Sequence, residues 1–147
     1  MNILAIDPGT TESGWVVFDG AKARSSGVLP NPQLLEWISG DPDLADCTLA
    51  IEMMRARGMP VSNDEMRTLV WIGRFQQAWH RPDEVRLVYR GDVKMHVCGN
   101  MKAKDSNVRA GLIELVGPQG TKKAPGPTYG VASHAWAALG VAVTAAG

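Results

Sequence analysis

The chain has 147 residues, of which 45% are hydrophobic and 20% are charged, and its basic and acidic side chains balance to zero net charge. This composition is typical of one soluble globular domain with enough chain for a hydrophobic core. Zero net charge does not indicate nucleic-acid binding, so any basic surface must come from an uneven distribution of charge. We find no internal repeats, heptads or low-complexity tail, and we expect a single domain across residues 1–147.

Neither end of the chain carries a membrane or secretion signal. The N-terminus lacks the basic start, long apolar stretch and cleavage site of a signal peptide. Ser133 and His134 interrupt the apolar C-terminal segment, and the apolar run after them is too short to span a bilayer. Cys47 and Cys98 lie in apolar runs without metal-type spacing, which favours buried free thiols. We therefore expect a cytoplasmic protein with no membrane partner.

Five short apolar segments predict β-strands, and amphipathic or capped segments between them predict helices. The predicted strands are residues 2–6, 14–18, 21–29, 47–51 and 85–89. The predicted helices are a short one from Asn31, one from residues 62–65 to about His80, one over 92–97, one from 105 or 106 to 116, and one from Tyr129 to about Ala145. Hairpin signals come first and helices separate the later strands, so the order predicts an α/β fold. Its mixed sheet would have an antiparallel start and helices on its faces.

Two carboxylates come directly after apolar strands. Asp7 lies just before a Pro-Gly turn, and Glu52 lies just after residues 47–51. If these strands are parallel neighbours, both carboxylates emerge at one edge of the sheet, and a divalent cation would relieve their repulsion. Each residue also has an ordinary interpretation, in which Asp7 begins a turn and Glu52 is a strand-end charge that reaches solvent.

His134 is a polar residue in an otherwise small and apolar C-terminal segment. A histidine in such a place is more often a core residue with a satisfied hydrogen bond than a metal ligand. Imidazole is nevertheless an acceptable ligand for manganese, and a poorer one for magnesium.

Four segments then occur in order along the chain: Ile6-Asp7-Pro8-Gly9-Thr10 with Gly14, Ala50-Ile51-Glu52, Val93-Lys94 followed by Ala103-Lys104 and Val108, and Ser133-His134-Ala135-Trp136-Ala137. This order resembles the RuvC family of Holliday junction resolvases, and most of all its compact phage and prophage members. The resemblance implies a ribonuclease H-like fold, a five-stranded mixed sheet whose first three strands are antiparallel. The Asp-Pro-Gly-Thr turn alone is also shared by sugar kinases and actin-like ATPases.

The resemblance assigns roles to the three candidate site residues. Asp7 matches the catalytic aspartate of the first strand, and Glu52 matches the glutamate after the fourth strand. His134 falls where the family usually has the last aspartate of its C-terminal helix. The family commonly has another acid three residues earlier, where this chain has Val131. One metal site would then have fewer protein ligands, or a residue such as Asp105 would contribute.

Two lysines complete the set of catalytic residues that the resemblance implies. Lys94 matches a lysine on the helix after the fifth strand. Lys104 lies near a second family lysine, although a gapless match from Gly99 places Asp105 there instead. Either lysine would contact the scissile phosphate or stabilise its developing charge.

The implied activity is hydrolysis of DNA phosphodiesters in four-way junctions or related branched DNA, in a bacterial or phage-infected cell. The implied cofactor is Mg²⁺ or Mn²⁺ at two ions per active site, with Asp7 bridging them, Glu52 on one and His134 on the other. The first alternative is a weakened or inactive protein that still binds branched DNA. A nucleotide-phosphate binder of the actin-like type ranks last, because it needs a second phosphate loop and a longer chain.

This hypothesis predicts two functional surfaces. The first is a basic rim that would contact the DNA backbone. It consists of Arg55, Arg57, Lys94, Lys102, Lys104, Arg109, Lys122 and Lys123. The alternative is that these charged side chains are simply solvated on separate faces. A resolvase cuts two strands symmetrically, which calls for a homodimer, and the helix over residues 64–80 is the expected contact. Its stripe carries Trp71, Gly73, Phe75 and Trp79. The alternative is that the stripe is core, with Phe75 and Met66 packed inward while Trp71 or Arg74 faces a partner.

Overall fold

A computed structural model describes residues 2–147. Its strands are β1 (Ile3–Asp7), β2 (Glu12–Phe18), β3 (Ala23–Pro30), β4 (Thr48–Met53) and β5 (Arg86–Tyr89). Its helices are α1 (Asn31–Gly40), α2 (Asn63–Ala78), α3 (Arg90–Cys98), α4 (Asp105–Val116) and α5 (Ala135–Ala146), with 3₁₀ turns at Pro42–Leu44 and Pro82–Glu84.

The strands form one mixed sheet in the order β3-β2-β1-β4-β5. β2 is antiparallel to both β1 and β3, whereas β1 and β4, and β4 and β5, are parallel. The expected architecture, with an antiparallel start and parallel crossovers, is therefore confirmed. Ile6 pairs with Ile51, so the next residue of each strand emerges at the same edge of the sheet.

Helices cover both faces of the sheet, which explains why β1 and β4 are apolar without alternation. Ile3 and Ala5 of β1 belong to the core that the sheet shares with α3, α4 and α5. Leu4 and Ile6 belong to the opposite core, shared with α1 and α2. β1 is thus held on both faces, and its end is a rigid position from which to present a side chain.

The helix α2 begins with a capping box, in which the Ser62 hydroxyl accepts a hydrogen bond from the Glu65 amide and the Glu65 side chain reaches back. Its buried stripe includes Ile72 and Phe75, and Trp79 just after the helix is 2% exposed. Phe75 packs inward, which agrees with the alternative in which the stripe is core and not with a place in a dimer contact. Met66 does not: it lies two residues before the buried Thr68, about 200° around the axis, and is 48% exposed.

The last helix begins later than expected, at Ala135 rather than at Tyr129. Gly130 and Ser133 have φ angles of 83° and 53°, in the left-handed region, and a right-handed helix does not continue through such residues. Residues 129–134 instead form turns that lead into the helix. Cys47 and Cys98 are free thiols, as expected, but only Cys47 is buried, whereas Cys98 is partly exposed. No helix within residues 2–147 combines the length and hydropathy needed to cross a membrane.

Candidate active site

Asp7 is the last residue of β1, and a buried polar network supports the turn that comes after it. The Ser13 hydroxyl accepts a hydrogen bond from the Gly9 amide at 3.2 Å and donates one to the Asn31 side chain at 2.6 Å. The Asn31 amide group donates in turn to the Gly9 carbonyl at 2.9 Å. Ser13 and Asn31 are almost completely buried. The three residues hold the turn against β2 and α1, so the position of Asp7 does not depend on a loose loop.

Glu52 lies beside Asp7, because β1 and β4 run parallel and in register. Burial raises the pKa of Asp7 to about 6. Burial, and then the negative charge of Asp7, raise the pKa of Glu52 to about 7. A hydrogen bond between the two carboxyl groups lowers the pKa of Asp7 and raises the pKa of Glu52. The pair is therefore a place where two negative charges are costly unless a cation accompanies them.

His134 reaches the same edge from the start of α5. Its Nδ1 lies 3.5 Å from Asp7 Oδ2, and its side chain is 64% exposed. The backbone of His134 also touches β2: a Cβ added at Gly14, the partner of Asp7 in the sheet, would lie 2.5 Å from the His134 carbonyl oxygen. Only glycine permits this approach. The structure therefore brings Asp7, Glu52 and His134 together, although the histidine is a surface residue and not a core residue.

A fourth charged group was not anticipated. Arg90, the first residue of α3, points its guanidinium at the carboxylate pair, with Nη1 3.9 Å from Glu52 Oε1. Its Nη2 binds the carboxylate of Asp105 at the start of α4. The positive charge of Arg90 lowers the pKa of both Asp7 and Glu52, which partly offsets the effect of burial. Asp105 thus belongs to the site through Arg90, with its own side chain 88% exposed.

The donor set fits a hard divalent cation. Among the residues described, Glu52 Oε1 and Arg90 Nη1 are buried polar atoms without a hydrogen-bond partner. A buried carboxylate oxygen in that state, next to a second carboxylate, is a suitable ligand for Mg²⁺ or Mn²⁺. Within residues 2–147, no group of three or more His, Cys, Asp or Glu side chains is already arranged around a metal position.

The helix that carries His134 offers no further acid. Val131, at the position where the RuvC-like pattern has one, is 1% exposed and packs in the core. Ala137, one helical turn after His134, lines a cavity of about 150 Å³ together with Arg90, Asp105 and His134. The side of the site towards α5 therefore holds an imidazole and a methyl group.

Part of the predicted basic rim lies next to the carboxylates. Lys94, Arg55 and Arg57 line a groove that also contains Glu52 and Arg90. Arg55 stacks on the ring of Tyr89 at 4.0 Å from its centroid. Arg57 forms a two-pronged ion pair with Glu65, at 3.0 and 3.1 Å, so its charge is already balanced.

The remaining basic residues lie elsewhere. Arg109 lines the cavity beside His134 and sits 4.9 Å from the centroid of Trp136. Lys102 and Lys104 line a different groove, whose walls come from residues 97–114 and include neither Asp7 nor Glu52. Lys122 and Lys123 are exposed in the loop between Gly120 and Pro125. The rim is therefore divided between at least two grooves and a loop.

Sequence reasoning missed Arg90, Ser13 and Asn31. Arg90 directly follows β5, and a basic residue at the end of a strand next to the Glu52 strand is a signal that could have been used. Ser13 and Asn31 carry no comparable signal, because small polar residues near a turn are common in any protein.

No protein-family model matches the sequence, and no curated protein matches it. Solved structures do match. The structure of Thermus thermophilus RuvC superimposes with a TM-score of 0.68 at 22% sequence identity, over 98% of this chain and 92% of that chain. The T. thermophilus RuvC structure in complex with Holliday junction substrate gives a TM-score of 0.66 at 22% identity, over the same 98% and 92%. The chain therefore has the ribonuclease H-like fold of RuvC, as the order of its sequence segments predicted.

Proposed function

We propose that this chain is a metal-dependent, structure-selective DNA endonuclease that resolves four-way junctions or related branched DNA by paired phosphodiester hydrolysis. The observation that carries the proposal is the partly buried Asp7–Glu52 pair, with its raised pKa values, at the parallel edge of a RuvC-like sheet. The solved RuvC complex contains a Holliday junction, which supports the same class of substrate. The nuclease domain would comprise residues 1–147 and act in the cytoplasm of a bacterial or phage-infected cell.

Asp7 and Glu52 would hold the divalent cation, Mg²⁺ or Mn²⁺, and His134 is within reach as a further ligand beside Asp7. When bound, the cation supplies positive charge that polarises the scissile phosphate and favours deprotonation of water. In the reaction the oxygen of water forms a bond to phosphorus while the bond to the 3′-oxygen breaks. The proton balance is closed when the 3′-oxygen takes up a proton, leaving a 3′-hydroxyl and a 5′-phosphate.

Basic side chains near the pair would position the DNA. Lys94 is the predicted catalytic lysine that shares a groove with Glu52, so it is the one suited to the scissile phosphate. Lys104 lines another groove and is better placed to contact the backbone farther along an arm of the branch. Arg55, Lys102, Arg109, Lys122 and Lys123 extend these contacts. Arg57 would have to leave Glu65 before it could join them.

A homodimer would present two such sites to the two strands that are cut. The outer face of α2 supports it, because Met66 and Val70 are 48% and 63% exposed and a Cβ added at Gly73 would meet nothing within 4 Å. Trp71 is half-buried and stacks with Arg74, so both stand at the margin of this face. The apolar, closely approachable strip Met66–Val70–Gly73 is the proposed contact. Trp79 and Phe75 belong to the core instead.

The test is to incubate the purified protein with a four-way junction in Mg²⁺ or Mn²⁺ and to map the nicks on denaturing gels. We expect symmetrically paired nicks, and Asp7→Asn should reduce their rate by at least about 100-fold while leaving junction binding intact. Asp19→Asn is a matched control, because Asp19 is a turn aspartate paired with Arg24 on the hairpin. Val70→Asp should convert a dimer to a monomer in light scattering and uncouple the paired nicks.

The second candidate is a branched-DNA-binding protein without cleavage. It is favoured by the lack of an acid at Val131 and by the alanine at position 137. If the wild-type protein binds the junction tightly but makes no nicks with either metal, this alternative is established and the nuclease proposal is wrong.

A further inference from the structure

Arg90 is the least expected member of the site, and its surroundings are unusual for an arginine. Its side chain is 28% exposed, and Nη1 is a buried donor without a hydrogen-bond acceptor in the described part of the chain. Glu52 Oε1 lies 3.9 Å from Nη1 and is itself without a hydrogen-bond partner. A buried donor without an acceptor is costly, so in a folded protein it is satisfied by a water, an ion or a ligand.

The position of Arg90 is fixed by the fold. β4 and β5 are parallel, with Glu52 opposite Val88 and Met53 opposite Tyr89. Arg90 begins α3 immediately after Tyr89, so its side chain starts from the same sheet edge as Glu52. Asp105 binds its other nitrogen and orients the guanidinium. The backbone position and the ion pair with Asp105 therefore preorganise the Arg90 side chain. Electrostatic stabilisation of a transition state requires such preorganised groups.

The charges around the Asp7–Glu52 pair disfavour the binding of a second metal ion. One divalent ion balances Asp7 and Glu52. Arg90 already contributes a positive charge on the Glu52 side, and it would repel a second ion there. On the α5 side, His134 is the one candidate ligand named above, because Ala137 and the buried Val131 supply none.

A space for a phosphate lies next to Arg90. The cavity of about 150 Å³ is lined by Arg90, Arg109, Ser133 and His134, two of which carry a permanent positive charge. Trp136, which is 8% exposed, also lines it and has an indole N–H without an acceptor within residues 2–147. Asp105 also contributes to the lining, and its carboxylate is paired with Arg90 Nη2.

We infer that Arg90 takes the place of one of the two metal ions, so that the site binds a single divalent cation and Arg90 contacts the scissile phosphate from the adjoining cavity. This inference rests on the proposed nuclease function and replaces the expectation of two ions per active site. The chain supplies the second positive charge as a fixed guanidinium, which stabilises the charge that develops on the phosphate oxygens.

The experiment counts bound Mn²⁺ rather than product. Wild-type protein is mixed with a four-way junction and Mn²⁺, frozen before turnover, and examined by electron paramagnetic resonance. We expect the spectrum of an isolated Mn²⁺ and one tightly bound ion per protomer. In Arg90→Gln, removal of the positive charge should tighten Mn²⁺ binding by about tenfold or admit a second ion, which would appear as an exchange-coupled pair. An exchange-coupled pair in the wild type, or unchanged Mn²⁺ binding in Arg90→Gln, would overturn the inference.

Two further variants make the result specific. Arg90→Lys keeps the charge and should keep the single-ion spectrum, while losing the forked contact and about tenfold in nicking rate. Arg24→Gln is the matched control, because Arg24 is also paired with an aspartate but lies on the hairpin. Thermal melting checks that each variant is folded. Failure of the proposed function shows separately, as wild-type protein that never nicks DNA, whereas the ion count is read without any cleavage.

Discussion

The carboxylate pair and the basic residues around it are built in opposite ways. The Asp7 and Glu52 side chains are 16% and 20% exposed and project from neighbouring strands covered on both faces. The basic residues lie on helix starts, grooves and loops, and several are stacked or paired with other side chains. The carboxylates, whose proposed role needs a fixed geometry, lie on the sheet. The basic residues, which would contact flexible branched DNA, lie on segments that can adjust.

The largest expected effect is on the pH dependence of stability, which reflects the raised pKa values of the carboxylate pair. Both pKa values are raised, so the folded protein holds protons that the unfolded chain has released, and stability should fall as the pH rises from about 4 to about 7. Without metal, we expect the free energy of unfolding to be lower at pH 8 than at pH 5 by on the order of 3 kcal/mol. Urea unfolding at the two pH values measures it.

Glu52→Gln is the control for that measurement. It removes one of the two charges, so most of the difference between pH 5 and pH 8 should vanish. Mg²⁺ should restore stability to the wild type at pH 8 and not to the variant. A wild-type protein that is equally stable at both pH values would show that the pKa values of the two carboxyl groups are not raised in the folded protein.

A second substitution breaks the contact between the rigid sheet and the surface histidine. In Gly14→Ala, the new Cβ would lie within 2.5 Å of the His134 carbonyl oxygen, so the start of α5 must move. We expect a loss of about 2 kcal/mol in stability and about tenfold in nicking rate. Gly20→Ala is the comparison, because a Cβ there meets nothing within 4 Å, although its φ of 95° adds local strain. Unchanged nicking in a folded Gly14→Ala protein would argue against a role for His134.

In the network beneath the turn, a similar loss of stability is expected without a direct effect on the position of His134. Ser13→Ala leaves the Gly9 amide and the Asn31 side chain without their hydrogen bonds in a buried setting. The expected cost is about 2 kcal/mol in unfolding free energy, measured by urea titration. Ser39→Ala serves as an exposed counterpart and should change stability by less than about 0.5 kcal/mol. Equal effects of the two substitutions would mean that the turn does not need this network.

The smallest effect is expected at the far end of the basic rim. Replacing Lys122 and Lys123 together by Ala should weaken junction binding about equally for all DNA sequences and reduce the slope of log affinity against log salt by up to about 2. The rate of nicking at saturating protein should not change. Fluorescence anisotropy at several salt concentrations measures the slope, and an unchanged slope would place this loop away from the DNA.

The sheet and the pair at its edge were predictable from particular residues. Continuous apolar runs before Asp7 and Glu52 marked two buried strands. Their parallel pairing was a condition of the prediction, and the structure meets it. Arg90 was not predictable in the same way. The helix expected over residues 92–97 left it in a loop, whereas α3 in fact begins at Arg90 and directs it at Glu52.

The C-terminal segment shows a different limit. Its small, apolar residues predicted a helix from Tyr129, but propensity does not reveal that Ser133 adopts a left-handed conformation. That conformation is set by the surrounding tertiary structure and places His134 at the surface beside Asp7. Likewise, the outward direction of Met66 depends on which stripe of α2 meets the sheet, and several stripes were compatible with the sequence.

The parallel pairing of β1 with β4 also has a consequence for the order of folding. The β1–β2 hairpin closes a short loop, whereas β1 meets β4 only after the chain from β2 through α1 has been brought round. Asp7 and Glu52 are therefore far apart, and do not repel each other, until that late step. A metal ion that binds the finished pair should slow unfolding much more than it speeds folding, and stopped-flow chevrons with and without Mg²⁺ would show the difference in the unfolding arm.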